Sequence, residues 1–403
     1  MDTIRVGIVG ATGFAGAELA RLVAQHPVFE AVALTAGAEA GAEIGALYPA
    51  LEHAYPKTTL VPHNDESLLS CDIVFTAVPH TAGMQHAQRL VEAGVSVVDL
   101  SADFRFSDES RYESVYKTPH TAPELLERAV YGQPETMHAE LARLAEEHAR
   151  GNAVVVGCAG CYVTASILAA APAMHAGLAQ ETSTVVIDAI SGVTGAGRKA
   201  TAKTHFCSAD ENVEAYGLPH HRHAPEIAQA YARLHPRLDE KELARVIFTP
   251  HLAPLRRGLL STVYVPLAEK TTTHELHALY EKHYADETLV SVLPEGIWPK
   301  TASVEGTAHA HVNVSVNEEE QIAVCMCAID NLGKGASAQA VQCANIVCGL
   351  PENTGLELLA CIPSRRPRTK LGQCGQFIRP RLQPPTFHPH RRVWQTLENG
   401  ENP

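Results

Sequence analysis

Two cysteines three positions apart, Cys158 and Cys161, interrupt the stretch VVVGCAGCYVTASILAAA that runs from residue 154 to 171. Val154 to Val156 reads as a strand that stops at Gly157, and Tyr162 opens an alanine-rich run that reads as a helix ending near Pro172. Strand, glycine turn and helix in that order place Cys161 at a helix N-terminus. Unpaired backbone N–H groups and the helix dipole favour an anion there, which is expected to lower the thiol pKa. A thiolate so placed is a nucleophile. The competing reading is that both cysteines are small core residues.

A second cluster, Tyr216-Gly217-Leu218-Pro219-His220-His221-Arg222-His223-Ala224-Pro225-Glu226-Ile227, sets three histidines, an arginine and a glutamate close together. A helix starting near Pro225 would leave the histidines on the loop before it, where imidazoles can move protons near neutral pH. Cys158, Cys161, His221 and His223 also offer four zinc ligands. Structural zinc pairs, however, sit within about 12 to 20 residues of one another, and the gap here is 60. No metal is expected. Between the clusters lies Ser191-Gly192-Val193-Thr194-Gly195-Ala196-Gly197-Arg198-Lys199, a glycine-rich loop beside two cations that suits an anion or a cofactor.

The elements that must position these groups begin at Ile4 to Val9, a β-rich run followed by Gly10-Ala11-Thr12-Gly13-Phe14-Ala15-Gly16 and a helical run, Ala17 to Gln25. Glycines at every third position of a strand-to-helix turn let backbone N–H groups approach a pyrophosphate. The second strand, Ala31 to Leu34, arrives on cue, but its end reads Thr35-Ala36-Gly37 with no acid until Glu39. An NAD-type site wants an acid at that end, so NADP is favoured, with Thr35 and nearby amides serving in place of an arginine. Further strands fit Ile73 to Val78 and Val95 to Leu100, and the second runs into Ser101-Ala102-Asp103-Phe104-Arg105. Arg105 is either an anion fork for a phosphate or carboxylate, or the partner of Asp99 or Asp103. Residues 1–155 therefore read as an α/β nucleotide-binding domain. Val246 to Leu267 and Ala310 to Ala328 alternate with period two and read as antiparallel strands; a helix is expected over Ala336 to Cys348.

The net charge of −13 is unevenly spread. Residues 362–403 carry eight Lys/Arg against Glu398 and Glu401, a local +6, and seven prolines, so the remainder carries −19. An acidic body argues against nucleic acid as a partner, and the basic tail reads as a disordered appendage. No run reaches the length of a membrane span, and a strand begins by Ile4 with no room for a leader. Ten scattered cysteines inside apolar runs fit reduced thiols and a cytoplasmic location.

Taken together, GATGFAGAEL (10–19), DLSADFR (99–105), AGCYVTA (159–165), SGVTGAGR (191–198), HRHAPEI (221–227) and IDNLGKGASAQAVQ (329–342) resemble the N-acetyl-γ-glutamyl-phosphate reductase family of the semialdehyde dehydrogenase superfamily. The resemblance implies an α/β fold: an N-terminal Rossmann NADP-binding domain and an α+β catalytic and oligomerisation domain at 156–330. A helix at about 331–350 would return to the first domain, and the whole would assemble as a homodimer or homotetramer. It implies that Cys161 attacks an acyl phosphate, releasing inorganic phosphate, and that NADPH reduces the resulting thioester. His223 would move the proton, with His221 close by. Gly10, Thr12, Gly13, Phe14, Ala15, Gly16, Thr35, Ser191, Gly195, Gly197 and Asn331 would hold NADP(H). Ser101, Arg105, Arg198, Arg222 and Glu226 would contact substrate. The family commonly has prolines flanking Gly-Cys-Tyr where this chain has Ala159 and Val163, and a Ser-Arg pair after the second strand that is absent here. The tail has no counterpart in the family. Other expectations are a relative acting on aspartyl or N-acetyl-aminoadipyl phosphate, and a redox sensor built on a Cys158–Cys161 disulfide.

Overall fold

The computed structural model describes residues 3–239 and 244–361, so the expected tail at 362–403 lies outside the described residues. The first half runs β1 (Ile4–Val9), α1 (Phe14–Gln25), β2 (Phe29–Ala36), the single turn α2 (Ile44–Leu47), β3 (Val61–Pro62), β4 (Ile73–Thr76), α3 (Gly83–Glu92) and β5 (Ser96–Asp99). It continues with α4 (Glu109–Tyr116), α5 (Pro123–Arg128), β6 (Val130–Gly132), α6 (Pro134–Ala149) and β7 (Val155–Cys158). All seven strands are parallel, in the order β3-β2-β1-β4-β5-β7-β6. The central strands are near-continuous apolar runs because helices cover both faces of a parallel sheet. Strand order reverses at β1/β4, and a crevice opens at the carboxyl edge of such a switch point.

From β7 the chain passes into α7 (Cys161–His175), whose apolar residues are buried all round. This helix leaves the first sheet and packs on a second one. It is followed by β8 (Val185–Gly192), the short α8 (Phe206–Ala209), β9 (Glu214–Ala215), α9 (His223–Leu234), β10 (Val246–Ala253) and β11 (Leu259–Pro266). Next come α10 (Thr273–His283), β12 (Val290–Val292), β13 (Ala310–Asn317), β14 (Ile322–Ile329) and α11 (Ala338–Val347). The second sheet has the order β12-β13-β14-β11-β8-β10-β9. Helices α7, α9 and α10 line one face. On the other, Ile247, Val186 and Tyr264 are cross-strand neighbours, with Ile247 and Tyr264 exposed.

Three expectations are corrected. Helix α7 does not stop at Pro172 but continues to His175. Proline removes the N–H that would bond the Leu168 carbonyl, and the Tyr284 hydroxyl takes that carbonyl instead, at 2.6 Å. Strand β10 is parallel to β8, which it reaches through α9, while β11, β13 and β14 pair antiparallel as expected. Helix α9 begins at His223, two residues before Pro225, because a proline in a first turn gives up only an N–H with no helical partner. Helix α11 is preceded by a π-turn, Gly333–Ser337, and returns to the first sheet: Ser337 Oγ donates to Ala15 O at 2.8 Å, and His26 pairs with Asn345 at 3.0 Å. Buried Lys334, bonded to Glu135 and Gln342, ties this return to α6.

Candidate active site

A cleft of about 500 Å³ opens at the carboxyl edge of the first sheet. The ends of β1, β4, β5 and β7 contribute Gly13, Ala77 to Pro79, Leu100 and Cys158 to Cys161. The second half supplies Thr194 to Lys199, Arg222, His223, Asn331 and Gly335. Each half alone would leave the cleft without one wall.

Cys161 is the first residue of α7, and its N-cap, Gly160, makes no side-chain cap. The turn is crowded. A methyl on Gly160 would lie 2.8 Å from His223 Nε2 and 2.9 Å from Arg105 Nη1, so only glycine lets both groups close on the cysteine. From the other side, a methyl on Gly335 would meet Cys161 Cβ at 2.7 Å, so the returning π-turn is pressed against Cys161. Burial pushes the thiol up to about 11, against the pull of the helix N–H groups, Arg105 and Arg222. This reverses the expected lowering. Cys161 is half-buried in the lining of the cleft, and lost hydration outweighs the dipole.

The histidines are neutral for the same reason. Burial, then His221, Arg105, Arg222 and His80, hold His223 well below the ordinary histidine range. Burial and Arg222 push His221 down to about 4. His221 Nδ1 accepts the His223 backbone N–H at 3.2 Å, so the His221 proton sits on Nε2. The two rings are 4.8 Å apart, and the buried Nδ1 of His223 has no hydrogen-bond partner. A thiol and a neutral imidazole that line one cleft are the groups that nucleophilic catalysis with a general base requires.

Arg105 is buried and lines the cleft; Nη2 donates to Leu100 O at 3.1 Å, and Nη1 lies 3.6 Å from Glu226. Its partner is thus neither Asp99 nor Asp103, and its Nε is unbonded. Asp103 instead takes the backbone N–H groups of Thr81 and Met84. Glu226 lies behind Arg105, accepting from Tyr131 Oη at 2.9 Å, with burial raising its carboxyl above the usual range. Arg222 stands at the cleft rim with Nη1 3.3 Å from the His80 ring.

The glycine turn fits a dinucleotide. Gly10 has φ of 89°, and a methyl there would lie 2.6 Å from Ala77 O; one on Gly16 would collide with Gly10 O. Those glycines shape the turn, while Gly13, Phe14 and Ala15 line the cleft with the uncapped N-terminus of α1. That is a cradle of unpaired N–H groups suited to a pyrophosphate. Gly195, Gly197 and Asn331 line the facing wall, with Asn331 Nδ2 donating to Thr194 Oγ1 at 2.9 Å and Oδ1 accepting from Gly258 N at 2.8 Å.

Other expected residues lie elsewhere. Thr35 is fully buried beneath the turn, where its Oγ1 accepts from Gly10 N at 3.3 Å and pairs with His63 Nδ1 at 2.7 Å. It props the turn rather than facing a cofactor. Ser191 is buried and bonds Gly192 O. Ser101 is turned inward onto Asp99 at 2.6 Å, away from any substrate. Arg198, expected at substrate, reaches to the first domain instead: Nη1 donates to Thr12 O at 3.1 Å and pairs with Glu39 at 2.9 Å. Cys158 is buried in the core cluster that also holds Cys343 of α11, and every described cysteine, Cys158 and Cys161 included, is a free thiol. The four zinc candidates do not gather, and no group of three or more His, Cys, Asp or Glu among the described residues could hold a metal. Sequence reasoning did not single out His80 or Gly335. The position of His80 just beyond a strand's carboxyl end was the available signal; for Gly335 there was none short of the fold.

Comparison with known proteins agrees with this architecture. Residues 5–144 match the semialdehyde dehydrogenase NAD binding domain and residues 161–331 the semialdehyde dehydrogenase dimerisation domain. The N-acetyl-gamma-glutamyl-phosphate reductase of Desulforamulus reducens is 42% identical over 360 residues, 89% of this chain and 100% of the relative. That of Desulforudis audaxviator is 45% identical over 354 residues, 88% of this chain and 98% of its own. Among solved structures, aspartate semialdehyde dehydrogenase II of Vibrio cholerae superposes with a TM-score of 0.63 at 17% identity, covering 86% of this chain and 98% of that one. The Candida albicans aspartate semialdehyde dehydrogenase with NADP gives 0.61 at 13% identity, covering 86% and 100%. The fold is that of the semialdehyde dehydrogenases, and the chain belongs to the N-acetyl-γ-glutamyl-phosphate reductase family.

Proposed function

We propose that the chain reduces N-acetyl-γ-glutamyl phosphate to N-acetylglutamate 5-semialdehyde and inorganic phosphate, a step of arginine biosynthesis. The observation that carries this reading is the uncapped Gly160–Cys161 turn, with His223 and Arg105 closed on it, facing the Gly13 turn across one cleft. His223 takes the Cys161 proton, and the thiolate forms a C–S bond to the acyl carbon. The C–O bond to phosphate breaks, leaving a thioester and inorganic phosphate. Arg105 and Arg222 balance the anionic groups of the substrate, with Glu226 holding Arg105 in place. A bound nicotinamide dinucleotide, NADPH in our reading, supplies the hydride. Protonated His223 gives its proton to the oxyanion of the thiohemiacetal; on collapse that O–H proton returns to the imidazole, the C–S bond breaks and the aldehyde leaves. The test is phosphate-dependent oxidation of N-acetylglutamate semialdehyde, followed at the nicotinamide absorbance in wild type and Cys161→Ser. Turnover that survives the substitution removes Cys161 as nucleophile; turnover with aspartate semialdehyde alone overturns the substrate.

We further propose a homo-oligomer assembled on the open face of the second sheet, where Ile247 and Tyr264 stand exposed beside Val186. Ile247→Asp is expected to release monomers in sedimentation velocity. Among the described residues no helix is long and apolar enough to cross a membrane. We infer a cytoplasmic location, because a reaction that depends on a free Cys161 thiol needs a reducing compartment.

A further inference from the structure

The loop that carries Arg198 belongs to the second half of the molecule, yet the side chain crosses the mouth of the cleft to the first. Its Nη1 donates to the carbonyl of Thr12, inside the glycine turn, and pairs with Glu39 Oε1 at 2.9 Å. Its guanidinium carbon stands 5.9 Å from the Tyr48 ring centre, and Tyr48 Oη donates to the same Thr12 carbonyl at 2.8 Å. The other Glu39 oxygen accepts from Thr12 Oγ1 at 3.4 Å. Glu39 therefore lies against the glycine turn although it is three residues past the end of β2. That is the region in which a dinucleotide fold places its ribose 2′ contact.

A carboxylate alone there suits a 2′-hydroxyl and repels a 2′-phosphate. An arginine alone suits the phosphate. This chain presents both, already paired, and both are partly exposed, so the pair can part at small cost. We propose that Arg198 and Glu39 are the residues that discriminate between the two dinucleotides. Arg198 turns from Glu39 to the 2′-phosphate when that group is present, and Glu39 accepts from the 2′-hydroxyl when it is not. The chain thus binds NADPH with only a modest advantage over NADH, and the arginine that sets the advantage comes from the far wall of the cleft. This inference rests on the dinucleotide reading of the glycine turn.

The test is equilibrium binding, by calorimetry, of 2′,5′-ADP and 5′-AMP, two fragments that differ only in the 2′-phosphate. Neither requires an acyl phosphate or turnover. Wild type is expected to bind both, with affinities within about tenfold of each other, the size of one hydrogen bond to a charged group. Arg198→Ala should weaken 2′,5′-ADP by about tenfold while leaving 5′-AMP within about twofold. Glu39→Gln should move the ratio the other way, by about fivefold, through relief of repulsion. Arg198→Lys, which keeps the charge and loses the fork, should fall between wild type and alanine. A ratio that moves less than about twofold in both Arg198→Ala and Glu39→Gln, with unchanged melting temperatures, overturns the assignment. Failure of wild type to bind either fragment or NADPH overturns the dinucleotide reading itself, and this inference with it.

Discussion

Two turns in this molecule have nearly the same backbone and opposite uses. Gly13 caps α1 at φ −73° and ψ 161°, and Gly160 caps α7 at φ −73° and ψ 155°; neither helix has a side-chain cap. Each follows a strand of the first sheet, and each leaves its first N–H groups without a partner. After Gly13 come Phe14, Ala15 and Gly16, with no ionisable group, so the turn offers the open cleft only its N–H groups. After Gly160 comes Cys161, and the N–H groups serve the protein's own sulfur. The packing differs as much as the sequence. A methyl on Gly13 meets nothing closer than 3.6 Å, while one on Gly160 runs into His223 and Arg105. The anion-favouring helix end is generic; what is packed around it decides whether it binds or reacts.

The largest effect that tests this contrast is removal of the sulfur. Cys161→Ala is expected to lower kcat/KM by on the order of 10³-fold or more, while the dinucleotide Kd stays within about twofold. A comparable loss of dinucleotide affinity would mean that the two turns are not separable. The glycines come next. Gly160→Ala should displace His223 and Arg105 and cost about 10²-fold in kcat, the penalty of about 1 Å of misplacement at a reacting centre. Gly13→Ala has room for its methyl but adds it to the lining of the cleft; several-fold weaker dinucleotide binding with kcat nearly unchanged is the expectation. Steady-state kinetics and fluorescence titration on both variants decide the matter, and exchanged phenotypes would refute the assignment of roles.

Both turns were legible in the sequence because a strand, a glycine and a helix leave a local pattern within about fifteen residues. The order of motifs led from there to the two-sheet architecture. Three kinds of feature were not local. Pro172 inside α7 is tolerated because Tyr284, over a hundred residues later, occupies the freed carbonyl. The parallel pairing of β10 with β8 is a consequence of α9 crossing between them, invisible to a period-two reading of β10 alone. Side-chain direction was the third: Thr35 sits at the expected strand end and Ser101 in the expected loop, but they point into Gly10 and Asp99. Asp99 itself, pushed up to about 6 by burial and Asp103 against the bonds from Ser101 and Thr76, gave no sign in the sequence of being so deeply enclosed. Arg198 belongs with these, since its partner Glu39 is 159 residues away.

The smallest effect concerns the balance at the cysteine turn, where the helix end was expected to win and burial does. A thiol held near 11 has a thiolate fraction that rises about tenfold per pH unit until the pKa is reached. Alkylation of Cys161 by iodoacetamide in the ligand-free protein should therefore climb steadily from pH 7 to about 10, read peptide by peptide because Cys207 and Cys361 are exposed and will react too. A plateau below pH 8 would mean that the dipole, Arg105 and Arg222 outweigh desolvation after all. Arg222→Ala removes one of the cations that favour the thiolate and leaves the burial largely intact. It should raise the thiol pKa further and slow alkylation by only a few-fold, because a cation at the cleft rim is largely screened by water. At the Gly13 turn the same substitution should leave dinucleotide affinity unchanged, which separates a local electrostatic effect at Cys161 from a general loss of positive potential in the cleft.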